Sequence, residues 1–383
     1  MPSHLTDRTK IAIVFFVHGI MLATWAPHIP YVRDELGLSE GALGILLLFL
    51  AVGAVAAMLL TGAIASRVGA DVMTRWTTLA MAGTLLLPLA APSPLTLAIS
   101  LATFGAALGS MDVAMNAVAA EIETSLGRPV MSSFHGMFSV GALTGSLLAA
   151  ALLRSGIQPF YQAVAVAAMV AVATWPILKR LPQSVTTSSE GPTIRFPKGR
   201  LLILGIIAFA VMLAEGSALD WSATYLTSDL GTTTAVAALA YGAFSITMAI
   251  GRFTGDAINR RVGPIRLVQT GAALATIGLG LGLLVATPLS VIIGFAAIGA
   301  GLANIIPVIF TTAAEQGTTP AEGISGTATL GYLGFLAGPP LIGVIAEFTN
   351  LTIGLAIVVI LLGVVTASST ALAKNSAEQP ASN

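Results

Sequence analysis

Long apolar runs, about twelve of them and each near twenty residues, follow one another along this chain, with charged residues confined almost entirely to the gaps. A bilayer core of about 30 Å takes about 20 apolar helical residues to cross. The pattern therefore points to a bundle of membrane-spanning helices. Only 9% of the 383 residues are charged and 56% are hydrophobic, against about 25% charged in soluble domains. The 40 glycines and 19 prolines do not oppose helix in lipid, where neighbouring helices satisfy freed backbone groups and small residues let backbones approach.

The same composition excludes several classes of function. A formal net charge of zero gives no basic surface for nucleic acid, and aromatic and basic residues do not interleave as in single-strand binders. With no cysteine, disulfides, thiolate metal sites and thiol nucleophiles are ruled out. No Walker loop, His-Glu-x-x-His or Gly-x-Ser-x-Gly pattern is present, so neither ATP-driven pumping nor hydrolysis has a sequence basis. The expectation is a protein that is not an enzyme, holds no metal or cofactor, and draws its energy from a gradient. The Gly278, Gly280, Gly282 and Gly299, Gly301 clusters lie inside apolar runs and read as helix-packing glycines, not dinucleotide loops. The first run, Ile11 to Tyr31, is too long for a signal-peptide core and reads as a retained span.

The predicted spans are 11–32, 41–64, 73–92, 95–118, 131–153, 158–178, 201–226, 235–257, 266–286, 289–312, 325–347 and 351–373. With both termini cytoplasmic, the loops on that side hold Arg8, Lys10, Arg67, Arg75, Arg128, Lys179, Arg180, Arg195, Lys198, Arg200, Arg252, Arg260, Arg261, Arg266 and Lys374, fifteen of the seventeen basic residues. Arg33 and Arg154 fall on the other face. The positive-inside bias sets this orientation. The segment 181–198, polar and proline-containing, reads as a flexible cytoplasmic linker between an N-terminal bundle, 1–180, and a C-terminal bundle, 199–383. Across it the sequence repeats at an offset of 193 to 194 residues: Arg67-Val68-Gly69 with Arg261-Val262-Gly263, Ala119-Ala120-Glu121 with Ala313-Ala314-Glu315, and Gly141 and Gly145 with Gly334 and Gly338. Agreement of several landmarks on one register indicates a duplicated six-helix unit.

Two six-helix halves, a central linker and a Gly-x-x-x-x-Arg-x-Gly type loop after the second helix of each half, one residue longer in the second copy, resemble the major facilitator superfamily over about residues 10 to 373. The resemblance implies an all-α membrane protein of twelve transmembrane helices in two pseudo-symmetric six-helix bundles. It also implies a gating latch at Arg67, Gly69, Asp256, Arg261 and Gly263. The first copy of that loop departs from the family pattern, with Ser66 in place of the usual Asp and Ala70 in place of the final Arg. The stretches Gly109 to Asn116, Ser133 to Gly136, Ala214 to Trp221 and Gly331 to Pro340 look like a poorly characterised bacterial inner-membrane branch, loosely similar to sugar and proton symporters. Symporters of the fucose type carry acidic groups in the first and fourth spans, whereas the first span here has His18 and no carboxylate.

A charge near the bilayer centre costs about 2.5 to 3.5 kcal/mol on insertion scales, which makes each one a functional candidate. Asp112 and His135 lie roughly 13 Å and 10 Å deep in the fourth and fifth spans and read as a proton-coupling pair. Asn116 shares the Asp112 face four residues on. Glu215, read as a third proton-coupling group, lies past the midplane of the seventh span, next to Gly216, which permits local unwinding of the kind transporters use at a central site. Asp220 falls nearer the outer interface. Trp25 and Trp221 occupy matching places in the two halves and read either as aromatic-belt anchors or as sugar-stacking platforms. His18 sits near mid-membrane, and His28, beside Pro27 and Pro30, is interfacial. Asn304 either faces Asp112 across a cavity or bonds neighbouring helices.

The function this implies is secondary active transport by alternating access. The cargo is a small polar solute, a sugar or related metabolite, coupled to protons in the bacterial inner membrane by a monomer. Proton-coupled efflux of drugs or amphipathic metabolites, and a non-transporting receptor, are the alternatives. The eleventh span has Gly338-Pro339-Pro340, whereas the fifth has no proline, which by resemblance disfavours drug antiport. A reporter fused to the C terminus tests the orientation: green fluorescent protein is expected to fluoresce and alkaline phosphatase to stay inactive.

Overall fold

A computed structural model describes residues 2–25, 28–38, 40–154, 156–186, 197–232 and 234–369. Each predicted span within them is largely helical, although regular helix in 73–92 ends at Thr84 and 289–312 is interrupted at Ala303 and Asn304, and no strand is present among the described residues. The helices are α1 (Pro2–Trp25), α2 (Ile29–Glu35), α3 (Glu40–Val68), α4 (Ala70–Thr84), α5 (Pro94–Leu126), α6 (Met131–Arg154) and α7 (Pro159–Leu178). After the linker come α8 (Arg200–Thr224), α9 (Thr234–Val262), α10 (Pro264–Val285), α11 (Pro288–Leu302), α12 (Ile305–Gln316), α13 (Pro320–Phe348) and α14 (Leu351–Ser368). Among the described residues nine segments are long and apolar enough to cross a membrane, α11 and α12 together forming one. Much of the apolar surface faces outward, with Leu95, Val172, Leu284 and Leu289 all exposed. That is the arrangement expected where lipid is the solvent.

Local sequence sets where the helices start. Ser93 caps α5 reciprocally with Thr96 and Pro94 follows it, and Thr287, Ser290 and Pro288 repeat the device on α11. Proline suits the first helical position because its missing N–H would be unpaired there. Gly69 and Gly263 adopt φ of 95° and 80° at the α3–α4 and α9–α10 turns, a conformation glycine enters without steric cost. The repeated Arg-Val-Gly loops are thus the same turn built twice.

The repeat is clearest where helices touch. A β-carbon at Gly141 would lie 1.9 Å from the carbonyl oxygen of Phe16, and one at Gly334 would lie 2.1 Å from that of Phe209. Gly145 meets Ile20 as Gly338 meets Leu213, and Gly105 meets Leu50 as Gly299 meets Phe244. Both partners in each comparison are offset by the same 193 or 194 residues. So α1 crosses α6 as α8 crosses α13, and α3 crosses α5 as α9 crosses α11, backbone against backbone. Lipid tails supply no hydrophobic drive between helices, and close packing over small residues takes its place.

Two expectations need correction. Helix α8 runs unbroken through Gly216, whose missing side chain makes room for Phe335 at 3.3 Å. The interruptions lie elsewhere, in a π-helical turn at Tyr225–Asp229 and in a break at Ala303 and Asn304 between α11 and α12. The linker expected to be flexible begins docked. Ser184 and Asp71 exchange hydrogen bonds, Ser184 N donating to Asp71 Oδ1 at 3.1 Å and Asp71 N to Ser184 Oγ at 3.2 Å, and Val185 N donates to Glu121. Residues 187–196 lie outside the described residues, as does Lys374.

The glycine crossings make a direct prediction. Gly141→Val and Gly334→Val each force a crossing apart and are expected to cost about 1–3 kcal/mol or more, read as a lower Tm in detergent. Gly83→Ala, with nothing within 4 Å, is expected to leave Tm unchanged or slightly raised.

Candidate functional site

A seam between the two sets of helices closes at the end of the molecule that carries Arg67 and Arg261, here called the basic end. The N-terminus of α6 is held there by two carboxylates. Glu123, at the end of α5, accepts from Val130 N at 2.6 Å and Met131 N at 2.7 Å, while its other oxygen accepts from Thr311 of α12 at 2.6 Å. Asp256 reaches across from α9 and accepts from Ser132 N at 2.9 Å and Ser133 N at 3.0 Å. Orphan N–H groups and the helix dipole make a helix N-terminus a good seat for carboxylate.

The repeat-related contact has no charge. Gly62 holds the place of Asp256, and Ser325 that of Ser132. Ser325 Oγ donates to Met58 O, and a β-carbon on Gly62 would meet Ser325 at 2.5 Å. The weakened first copy of the loop is therefore matched by close packing. Among the expected gating residues, Asp256 makes the contact across the seam. Gly69 and Gly263 form the turns, Arg67 ends α3 with a buried Nε that has no partner, and Arg261 is exposed.

Above this latch the seam ends in a polar layer. Asn116 Nδ2 donates to Asp112 Oδ1 at 3.2 Å and to Asp112 O at 2.9 Å, and Asn116 Oδ1 meets His135 Nε2 at 3.1 Å. Asp112 and His135 are thus joined through Asn116, not directly. The arrangement is self-consistent only with the His135 Nε2–H donating, since the amide oxygen accepts. The ring of His135 stands against Phe15 at 5.4 Å and Phe310 at 6.1 Å, which excludes most water from it.

Facing this relay from the other half are Tyr332 of α13, whose hydroxyl lies near the Asp112 carboxylate, Glu215 of α8 and Arg252 of α9. Arg252 Nη2 lies 4.0 Å from Glu215 Oε2, and Nη1 donates across the seam to Ser139 Oγ of α6 at 2.7 Å. Arg252 corrects the loop assignment made from sequence. It sits ten residues before the end of α9, roughly 15 Å inside at 1.5 Å per residue. The depth argument that singled out Asp112 applies equally to a cation and would have found it. Tyr332 carried no charge to attract notice.

The remaining candidates separate. His18 is buried against Phe138 at 5.5 Å with neither ring nitrogen partnered. Asn304 donates to Gly251 O at 2.9 Å, a contact between the α11–α12 break and α9 next to Arg252. Trp25 is buried inside the helix bundle, which removes the lipid-belt reading for it. Trp221 packs on Gly343 of α13, its Nε1 unpartnered. Asp220 is exposed. His28 is fully buried, bonded to Thr24 O at 2.7 Å and Gln162 Oε1 at 3.0 Å.

Residues 11–339 match the sequence model of the Major Facilitator Superfamily. The chain belongs to that superfamily. It is 35% identical to an uncharacterized MFS-type transporter of Yersinia pestis over 97% of both chains, and 33% identical to membrane protein MosC of Rhizobium meliloti over 96% of this chain and 90% of that one. In fold it is similar to the Escherichia coli fucose:proton symporter, with a TM-score of 0.78 at 13% identity, covering 97% of this chain and 100% of that one. It is a multi-pass membrane transporter of the major facilitator kind and not an enzyme, and its cargo is a small molecule.

The latch predicts how the seam responds to mutation. Asp256→Ala leaves Ser132 N–H without an acceptor and Ser133 N–H with only its 3.1 Å bond to Val130 O, a loss of about 1–3 kcal/mol. Maleimide labelling of a cysteine placed at Ser133 is expected to speed up several-fold in that background.

Proposed function

We propose that this protein is a proton-coupled secondary transporter that moves a small polar solute, a sugar or related metabolite, by alternating access. Its halves, residues 1–180 and 199–383, rock about the polar layer between them while 181–198 joins them. The observation that carries this reading is the chain Asp112, Asn116, His135 on one half, opposed by Tyr332, Glu215 and Arg252 on the other. Ionisable groups in a hydrocarbon-solvated chain are costly unless they do a job that needs them, and these stand where two rocking bodies meet. A structural role would be met by uncharged hydrogen bonding, as Asn304 and Gly251 show within one half.

Proton movement follows from the chemistry of the relay. A proton arriving at Asp112 turns an acceptor-only carboxylate into a group that also donates, which reorganises its bond to Asn116 and its contact with Tyr332, and through Asn116 the bond to His135. The layer touches both halves, so its protonation biases how they fit together. With the seam closed at the basic end, the solute enters from the other end. The positive-inside bias then makes that entrance periplasmic, with both termini in the cytoplasm of a bacterial cell and the chain acting as a monomer in the inner membrane. His18, Trp25, Asn116 and Trp221 are the solute contacts of this reading, with Asp220 and Asn304 the outlying ones. The fucose:proton symporter it resembles in fold supports the coupling.

Uptake into proteoliposomes with and without an imposed pH gradient tests this. Wild-type flux is expected to rise with an inward proton gradient, and Asp112→Asn to make it independent of external pH between about 5.5 and 8. Gradient-driven flux unchanged by that substitution would remove Asp112 from the coupling.

A further inference from the structure

We propose, building on the carrier reading, that the transported solute is a small carboxylate gripped by Arg252, and that Glu215 takes up the proton that travels with it. The guanidinium of Arg252 is the starting point. Its planar fork offers five N–H donors matched to a pair of carboxylate oxygens. Here Nη1 has Ser139, Nη2 reaches Glu215 only at 4.0 Å, beyond hydrogen-bond length, and Nε has no partner. The side chains of Arg252 and Glu215 keep 16% and 18% of their surface exposed, so a ligand can touch them. A cation at this depth with most of its fork unfilled is short of an acceptor, and Glu215 stands close enough to neutralise it without bonding it well.

That geometry couples two events. While Glu215 is ionised it balances Arg252 and repels a second anion. Once a proton converts its carboxylate to the neutral acid, Arg252 loses its counter-charge, and an uncompensated buried charge is strongly unfavourable. The carboxylate of the solute then takes that place. Proton and anion therefore bind cooperatively, each raising the affinity of the other by the same factor, and one proton with one monocarboxylate moves no net charge. The groups that share the field of this pair are Tyr241 on α9, Tyr332 on α13 and His135 on α6, with Asp112 on α5 beside Tyr332 and His18 on α1 beside His135. The hydroxyl of Tyr332 and the imidazoles suit a hydroxylated body attached to the carboxylate. A solute that claims Nη1 also competes with Ser139, the deepest bond across the seam. Occupancy thereby loosens the closed side.

The full-length protein in nanodiscs is titrated by calorimetry with gluconate and lactate, with neutral glucose, and with cationic glucosamine, at pH 6 and pH 8. Saturable binding is expected for a carboxylate and not for glucose or glucosamine, tightening at least about fivefold from the higher to the lower pH. Glu215→Gln, fixed in the neutral form, is expected to bind the same carboxylate at both pH values with less than about a twofold difference. Arg252→Gln is expected to lose affinity at least about tenfold, and Arg252→Lys to lose less, gel filtration confirming that each variant is folded. The inference is overturned by tighter binding of glucose or glucosamine than of either carboxylate, by no carboxylate binding, or by unchanged affinity in Arg252→Gln. Glucose-driven proton uptake in proteoliposomes would overturn it while leaving the carrier reading intact. Arg252-dependent carboxylate binding without proton-linked flux of any probe would sink the carrier reading and the transport half of this inference with it, leaving only the anion site.

Discussion

Backbone contact at glycine is the constraint on which this molecule rests. Between helices bathed in lipid, apolar side chains gain little by touching one another instead of acyl chains, so cohesion depends on atoms brought close over small residues. Gly141 under Phe16 and Gly334 under Phe209 are the same solution used twice. These crossings lie inside each set of helices. They make each half a stiff body, because a carbonyl seated where a β-carbon would be has nowhere to slide.

The surface between the stiff bodies is built differently. There the contacts are a carboxylate on a helix end at Asp256, a serine on a carbonyl at Ser325, and a guanidinium on a hydroxyl at Arg252. Such bonds can be exchanged for water or ligand at modest net change, since each polar group finds another partner when the seam parts. Close-packed glycine crossings have no such substitute. Close-packed crossings within each set of helices and exchangeable polar contacts between the sets are thus two different kinds of contact.

Much of this was legible from one sequence. Apolar run length located the helices, because the bilayer thickness imposes it. The offset between Gly141 and Gly334 announced the duplication, and the turns at Gly69 and Gly263 followed from their Arg-Val-Gly context. Asp112 and His135 stood out because few ionisable groups compete with them at that depth, but that they meet through Asn116 and not directly was not legible. Where reasoning from the chain failed, the reason is specific. Arg252 was placed in a loop because a positive charge near a helix end is ordinarily a topological signal. Gly216 was given a break that α8 does not have, since a glycine inside a helix can equally serve a neighbour such as Phe335.

What the sequence determined by itself is the class of solvent, the all-helical fold and its internal repeat, since hydropathy and register are properties of the chain read in order. Tertiary structure alone decided that Asn116 stands between Asp112 and His135, that Tyr332 and Arg252 complete the layer, and that the seam is shut at the basic end. The last two join residues separated by more than a hundred positions, and the first joins two different helices. Their meeting depends on the rotation of each helix about its own axis, which side-chain packing sets and no periodicity records.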